Sequence, residues 1–390
     1  MRLTGEAFSR PTYYIDKYGD MSSAVDDLAR SRWLGVDTES NSLHAYKERV
    51  CTIQISNKRA NYIFDPIRLG DMSALAPLFS DSRVEKIFHG SDYDVGLLKR
   101  DFGYTVEHIF DTMIAAQFLN HEHLGMADLV EEYFDFRPPK KFTKCDWAKR
   151  PLSLEQMVYL VQDTQYLIDL RGYLNDELKE RDLLEEAEIE FARQEKRPPI
   201  VPAYSLQDVW SIKGARSLND KELSILYELF MWRGKRASSI DMPPFKVMNN
   251  KVMLDLAQQM PRNREEMFKI KGITANVWHR SGQDLLNSIR RGSQRPASRI
   301  PPPNKKKGNN TRQPVHWNDQ YLVDALKKWR NEKAEVLGIH HLAVLPGYAL
   351  EEVARVKPSD ESQLASIEGV GKKRARLYSE NILAIIKKMN

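Results

Sequence analysis

The second half of the chain is written twice. Trp232-Arg233 returns as Trp329-Arg330, Ala257 as Ala354, Pro261 as Pro358, Ile270 as Ile367 and Gly272 as Gly369, while Leu286 and Ile289 return as Leu383 and Ile386, all in one register. A duplication held in constant register means one structural unit built two times. Apolar residues in both copies recur at helical spacing: Leu223, Leu226, Leu229 and Phe230 in the first, Leu322, Leu326 and Trp329 in the second. Two small all-α bundles are therefore expected, which leaves any chemistry to the first half.

A chain of 390 residues is long for a single hydrophobic core, so two or three domains are expected. The net charge of +5 is mild, but the basic excess is local, and local runs point to an anionic partner such as nucleic acid. Cys51 and Cys145 are far apart and lack metal-ligand spacing, which argues against a disulfide framework and fits reduced thiols. The first residues contain no apolar signal-peptide core, and no apolar run approaches the roughly 20 residues of a membrane span. A soluble, cytoplasmic protein without a membrane partner is expected, as a monomer.

In the first half, Trp33-Leu-Gly-Val-Asp37-Thr-Glu39 is a short apolar run, read as a buried strand, that ends in two carboxylates. Residues i and i+2 of a strand share a face, so Asp37 and Glu39 repel each other unless something positive lies between them. Hard carboxylate oxygens in such a place suit Mg²⁺ or Mn²⁺; taken alone, the pair reads equally well as two solvated acids at a sheet edge. Further strands are expected at Thr12–Ile15, Val50–Ser56, Asn61–Phe64 and 85–89, and the acidic strand with the next two reads as an antiparallel meander. Helices are expected over 21–30, 71–79, 112–119 and 126–133. Ser91-Asp92-Tyr93-Asp94 opens another, with Leu97, Leu98 and Phe102 at helical spacing; Ser91 and Asp94 have the spacing of a capping box. Asp94 is thus read either as an acid at a helix start or as a carboxylate facing Asp37 and Glu39, with Asp92 competing. A long helix is expected over 154–178, where Tyr159 and Asp163, four apart, share one face. Before it, residues 136–151 form a basic, aromatic, proline-broken loop in which Lys140, Lys141 and Lys144 alternate with Phe142 and Trp147, a pattern that suits phosphates and bases and reads equally well as a solvated loop whose Trp packs on the domain.

The order Asp37-x-Glu39, then His89-Gly90 followed by Asp94, then Tyr159-x-x-x-Asp163 resembles the DEDD family of 3′→5′ exonucleases, in its tyrosine subgroup. Trp147 with Arg150-Pro-Leu-Ser ahead of the tyrosine motif resembles the ribonuclease D branch in particular. The resemblance selects Asp94 over Asp92 and implies a ribonuclease H-like α/β fold with two divalent ions, Mg²⁺ or Mn²⁺. It implies that Asp37 bridges both ions, that Glu39 and Asp163 hold the one that activates water, that Asp94 serves the other, and that Tyr159 orients the attacking water. The implied activity is exoribonucleolytic, releasing nucleoside 5′-monophosphates from RNA with a free 3′ end, tRNA precursors among them. A DNA exonuclease of the same superfamily, or a nucleic-acid-binding protein with an inactive nuclease fold, are the alternatives.

Both helical copies resemble HRDC domains. In the second, Ile367-Glu-Gly-Val-Gly371-Lys-Lys-Arg resembles a helix-hairpin-helix turn, and Lys372, Lys373 and Arg374 are expected to meet RNA there; the first copy lacks the second glycine and the cationic run. The expected organisation is an exonuclease domain at 1–203, closed by a proline-rich hinge, a first HRDC domain at 204–291, a basic, proline-rich linker at 292–316 and a second HRDC domain at 317–390.

Overall fold

The computed structural model of the chain describes residues 2–3, 9–139, 141–200, 205–297, 300–302 and 319–389. They fall into two compact units, one made of Met1–Ser40, Val50–Ile200 and Arg312–Asn390, the other of Asn41–Arg49 and Val201–Thr311. Lys140 and most of the expected linker lie outside the described residues.

The first unit is built on one mixed sheet of seven strands: β1 (Arg2–Leu3), β2 (Thr12–Ile15), β3 (Trp33–Ser40), β4 (Val50–Ser56), β5 (Asn61–Phe64), β6 (Glu85–Phe88) and β7 (Ile109–Asp111), in the spatial order β1-β2-β5-β4-β3-β6-β7. β3, β4 and β5 form the antiparallel meander, while β6 and β7 run parallel to β3. The acidic strand is therefore central. Leu34 and Val36 of β3 are buried in a core with Ile53, Ile55 and Phe64.

Helices cover both faces, as a largely buried sheet requires: α1 (Tyr18–Leu28), α2 (Pro66–Leu69), α3 (Ala76–Ser80), α4 (Asp92–Phe102), α5 (Thr112–Phe118), α6 (Met126–Phe134), α7 (Leu154–Gln165), α8 (Leu167–Glu180) and α9 (Leu184–Glu195). The helix expected over 154–178 is thus two helices that meet at Tyr166; with no Pro or Gly at the junction, nothing in the local sequence marks the break. α7 starts on a complete capping box between Ser153 and Gln156 and buries Met157, Leu160 and Val161 against Cys51, Ile63 and Trp147. α8 buries Leu167, Leu170 and Leu174 with Ile87 and Phe110.

The two helical copies share their order of elements. The first comprises α10 (Asp220–Ser239), α11 (Pro244–Val247), α12 (Asn250–Gln259), α13 (Arg264–Phe268) and α14 (Ala275–Gln294); the second, α15 (Gln320–Leu337), α16 (His341–Val344), α17 (Gly347–Val356), α18 (Glu361–Ala365) and α19 (Gly371–Met389). Each buries the arginine of its Trp-Arg pair at the same place: Arg233 donates to the carbonyl of Met248 at 3.0 Å, and Arg330 to that of Leu345 at 3.4 Å. In the first unit the second copy packs on the α/β part. Ala343 is buried in the cluster that contains Phe118, Leu183, Ala187 and Phe191, with Ile339 and Leu342 beside it.

Candidate active site

The C-terminal half of β3 presents Asp37 and Glu39, and α7 brings Asp163 to them. One carboxylate oxygen from each lies within 4.8 Å of the other two. Local sequence allows this approach at residue 35: a Cβ there would stand 2.6 Å from the carbonyl oxygen of Thr164, so only glycine lets α7 lie this close to the strand. The hydroxyls of Ser56 and Thr164, 2.6 Å apart, join α7 to β4 at the same level.

Asp94 comes from the first turn of α4. Its Oδ1 accepts the hydroxyl of Thr38, the residue between the two strand acids. It is not one of the three clustered carboxylates, but its charge acts on Asp37 and Asp163. The turn that launches α4 is fixed by Asp111, whose carboxylate accepts from the N–H of Gly90 at 3.1 Å and from the N–H and hydroxyl of Ser91, both at 2.7 Å, while also capping α5. Ser91 therefore serves Asp111 and makes no cap for α4, so the capping box expected between Ser91 and Asp94 does not form. Asp92 has a side chain 58% exposed and lies 3.9 Å from Arg197, apart from the cluster. His89 is turned to the Thr112 hydroxyl at 3.0 Å.

The electrostatics of the acids share a cause. Burial pushes the Asp37 carboxyl well above the usual carboxylate range, and the charges of Asp94, Asp163 and Glu39 push it further. Glu39 is raised to about 9 by burial and then by Asp163 and Asp94. Burial raises Asp94 and Asp163 to about 7 each. Tyr159, on the same face of α7 as Asp163, is raised too, first by burial and then by the charges of Asp163, Glu39 and Asp37. Its phenol is therefore a hydrogen-bond donor at neutral pH, not a base. Four acids that cannot ionise together without a counter-charge, all offering hard oxygens, fit a divalent cation of the Mg²⁺ or Mn²⁺ type.

The expected RNA contacts divide. Lys141 pairs with Glu155 at the protein surface, and Lys144 and Lys372 are exposed. Trp147 corrects the expectation placed on it: it is 1% exposed, packed in a core with Cys51 and Ile63, so no base can stack on it. Lys373 and Arg374 require the same correction. The Lys373 ammonium is held by Asp182 at 3.0 Å and by Glu186 at 3.1 Å. Arg374 is 1% exposed and donates to the carbonyls of Ala343, Gly369 and Leu342. Both cations turn inward because α9 presents buried acids, Glu186 and Glu190, to the second helical copy; the Tyr348 hydroxyl donates to Glu190. The sequence signal for this was present in the apolar residues Ala187 and Phe191 that alternate with those glutamates.

Comparison with known proteins identifies the parts. Residues 13–179 match the family model described as 3'-5' exonuclease, and residues 222–289 and 319–386 each match the HRDC domain. An exosome complex component 10 homolog of Drosophila melanogaster is 29% identical over 260 residues, covering 64% of this chain. The chain spans 29% of that relative's length. A ribonuclease D of Nitrobacter hamburgensis is 26% identical over 380 residues, covering 95% of this chain and 94% of the relative. The structure of RNase D from Escherichia coli superposes with a TM-score of 0.68 over 97% of this chain and 99% of that one; at 21% identity the likeness speaks for the fold. The chain carries a 3′-5′ exonuclease domain and two HRDC domains.

Proposed function

We propose that this ribonuclease D-like chain is a divalent-metal-dependent 3′→5′ exoribonuclease that releases nucleoside 5′-monophosphates from RNA ends, and that tRNA precursors and other small structured RNAs are its substrates. The observation that carries the reading is the convergence of Asp37, Glu39 and Asp163 within 4.8 Å. Asp94 stands close enough to act on all three of them through its charge.

Asp37, Glu39, Asp94 and Asp163 would hold a pair of divalent ions. When bound, such ions supply neutralisation of the phosphodiester and acidify a water for attack. The chain's own part is to arrange the partners. Tyr159 stays protonated because burial and the nearby acids raise its pKa, so it orients a water by hydrogen bonding. Thr38 keeps the Asp94 carboxylate facing the strand acids. No helix among the described residues is long and apolar enough to cross a membrane; we place the enzyme in the cytoplasm, as a monomer.

The test is stepwise shortening of 5′-labelled single-stranded RNA in Mg²⁺, alongside DNA of the same sequence. Shortening of RNA one nucleotide at a time, abolished in Asp37→Asn with the circular-dichroism spectrum unchanged, is the expected result. Preference for DNA would select the deoxyribonuclease alternative, and RNA binding without nucleotide release in Mg²⁺ or Mn²⁺ would make this an inactive binding protein.

A further inference from the structure

Behind Trp147 lies a buried ion pair of which the motifs include only one member, Arg150, and not its partner Asp65. The Arg150 side chain is 7% exposed and that of Asp65 is 0% exposed. All five N–H groups of the guanidinium are engaged. Nε and Nη2 bind the two oxygens of Asp65 at 2.5 and 2.8 Å. Nη2 also binds the carbonyl of Cys51 at 2.8 Å, and Nη1 binds those of Trp147 at 2.6 Å and Lys149 at 2.8 Å. Asp65 is anchored from its other side by the Tyr14 hydroxyl and by the N–H groups of Ile67 and Arg68. One side chain thus joins β4, the end of β5 and the loop that carries Trp147. An Arg–carboxylate fork of this kind fixes orientation as well as distance.

What the clip holds is the indole of Trp147. Its ring stacks on Tyr159, with centroids 5.8 Å apart and planes at 27°. Its N–H is buried without a hydrogen bond of ordinary geometry to any described residue, and the acceptor it faces is Glu39, whose charged form it favours. A buried donor that lacks a full partner is rare in native proteins and asks for a reason; here the group it faces is a carboxylate of the acidic cluster.

We propose that Trp147 is a positioning residue of the carboxylate site, held there by Arg150, with its indole N–H setting the side-chain orientation of Glu39 and its ring that of Tyr159. The metal-binding arm of this proposal does not depend on nucleotide release; its catalytic arm rests on the exonuclease reading. Groups that orient metal ligands from behind change metal affinity or activity by about 10–100-fold when removed.

The experiment titrates Mn²⁺ into the full-length protein by calorimetry, for wild type, Trp147→Phe, Arg150→Lys and the double variant. Phe keeps a ring and loses the N–H; Lys keeps the charge with three donors in place of five. Each single variant is expected to raise the Mn²⁺ half-saturation by about tenfold or more, and the double variant to match the worse single one, because Arg150 acts through Trp147. With RNA, kcat should fall while KM stays within about threefold. An unchanged Mn²⁺ half-saturation in either folded variant, or fully additive effects, overturns the proposal. Should Trp147→Phe not fold, the half-saturation of Arg150→Lys decides alone. Wild-type protein that binds Mn²⁺ and releases no nucleotide defeats the exonuclease reading, and the positioning proposal is then judged on the Mn²⁺ titration.

Discussion

Two clusters of charge in the first unit, one buried and one half-buried, are balanced by opposite means. Where α19 meets α9, the ammonium of Lys373 lies between Asp182 and Glu186, and the Tyr348 hydroxyl caps Glu190. Every charge named there has its partner inside the chain. At the end of β3, Asp37, Glu39, Asp94 and Asp163 push one another's pKa values upward, and no described cation answers them. The first region is complete on folding; the second is complete only with a ligand. Buried charges without compensation cost stability, and in a site they persist because the ligand offsets them.

The comparison breaks first at Lys373. Replacing it with Met leaves Glu186 buried and unpaired, and should cost about 3–5 kcal/mol in denaturant unfolding of the full chain. A loss below about 1 kcal/mol would equate this contact with an exposed salt bridge.

The carboxylate site should respond with the opposite sign. Mg²⁺ at a hundredfold excess over its dissociation constant should stabilise the wild type by about 2.7 kcal/mol, and Asp37→Asn should show much less of that gain. Without metal, stability should fall as pH rises. The unfolded chain loses the Glu39 proton near 4.5, whereas the folded chain holds it to about 9. Between those values the native state binds the extra proton, so stability is greatest below the lower one and declines towards the upper. A melting temperature in chelator that rises from pH 5 to pH 8 would contradict this.

The smallest effect sharpens the first region. Tyr348→Phe removes one hydrogen bond to a charged acceptor and should cost about 1.5 kcal/mol, with nucleotide release unchanged. The matched position of the first HRDC copy, Lys251, instead makes a helix-surface pair with Asp255 at 3.1 Å, so Lys251→Ala should cost about 0.5 kcal/mol or less.

The same contrast explains what could be read from the chain beforehand. Asp37 and Glu39 announce themselves because two residues of one strand create the problem that a cation solves, and both lie in one short motif. The repeat gave away the helical modules for a similar reason: its apolar positions are local and periodic. The inward turn of Lys373 is not legible in sequence because its partner Glu186 is 187 residues away, and a basic run near two glycines shows its charge but not what faces it. For Trp147 both readings stay open in sequence, since a loop sequence does not say which aromatic residue turns inward. Arg150 was noticed as part of a motif, yet its role needs Asp65, which reads in sequence only as a turn before a proline. Local sequence does not separate Asp94 from Asp92; the family resemblance selects Asp94, and the fold puts it under Thr38 and Asp92 at the surface.

One hydrogen atom where other residues carry a carbon governs how tightly the catalytic domain can close on itself. At position 35 a methyl group would collide with the main chain at Thr164, one residue beyond Asp163. An alanine there keeps every acid and every aromatic ring in the chain, yet forces α7, which carries Asp163, away from β3. Damage to such a site can therefore arise from a change that no inventory of its acids would flag.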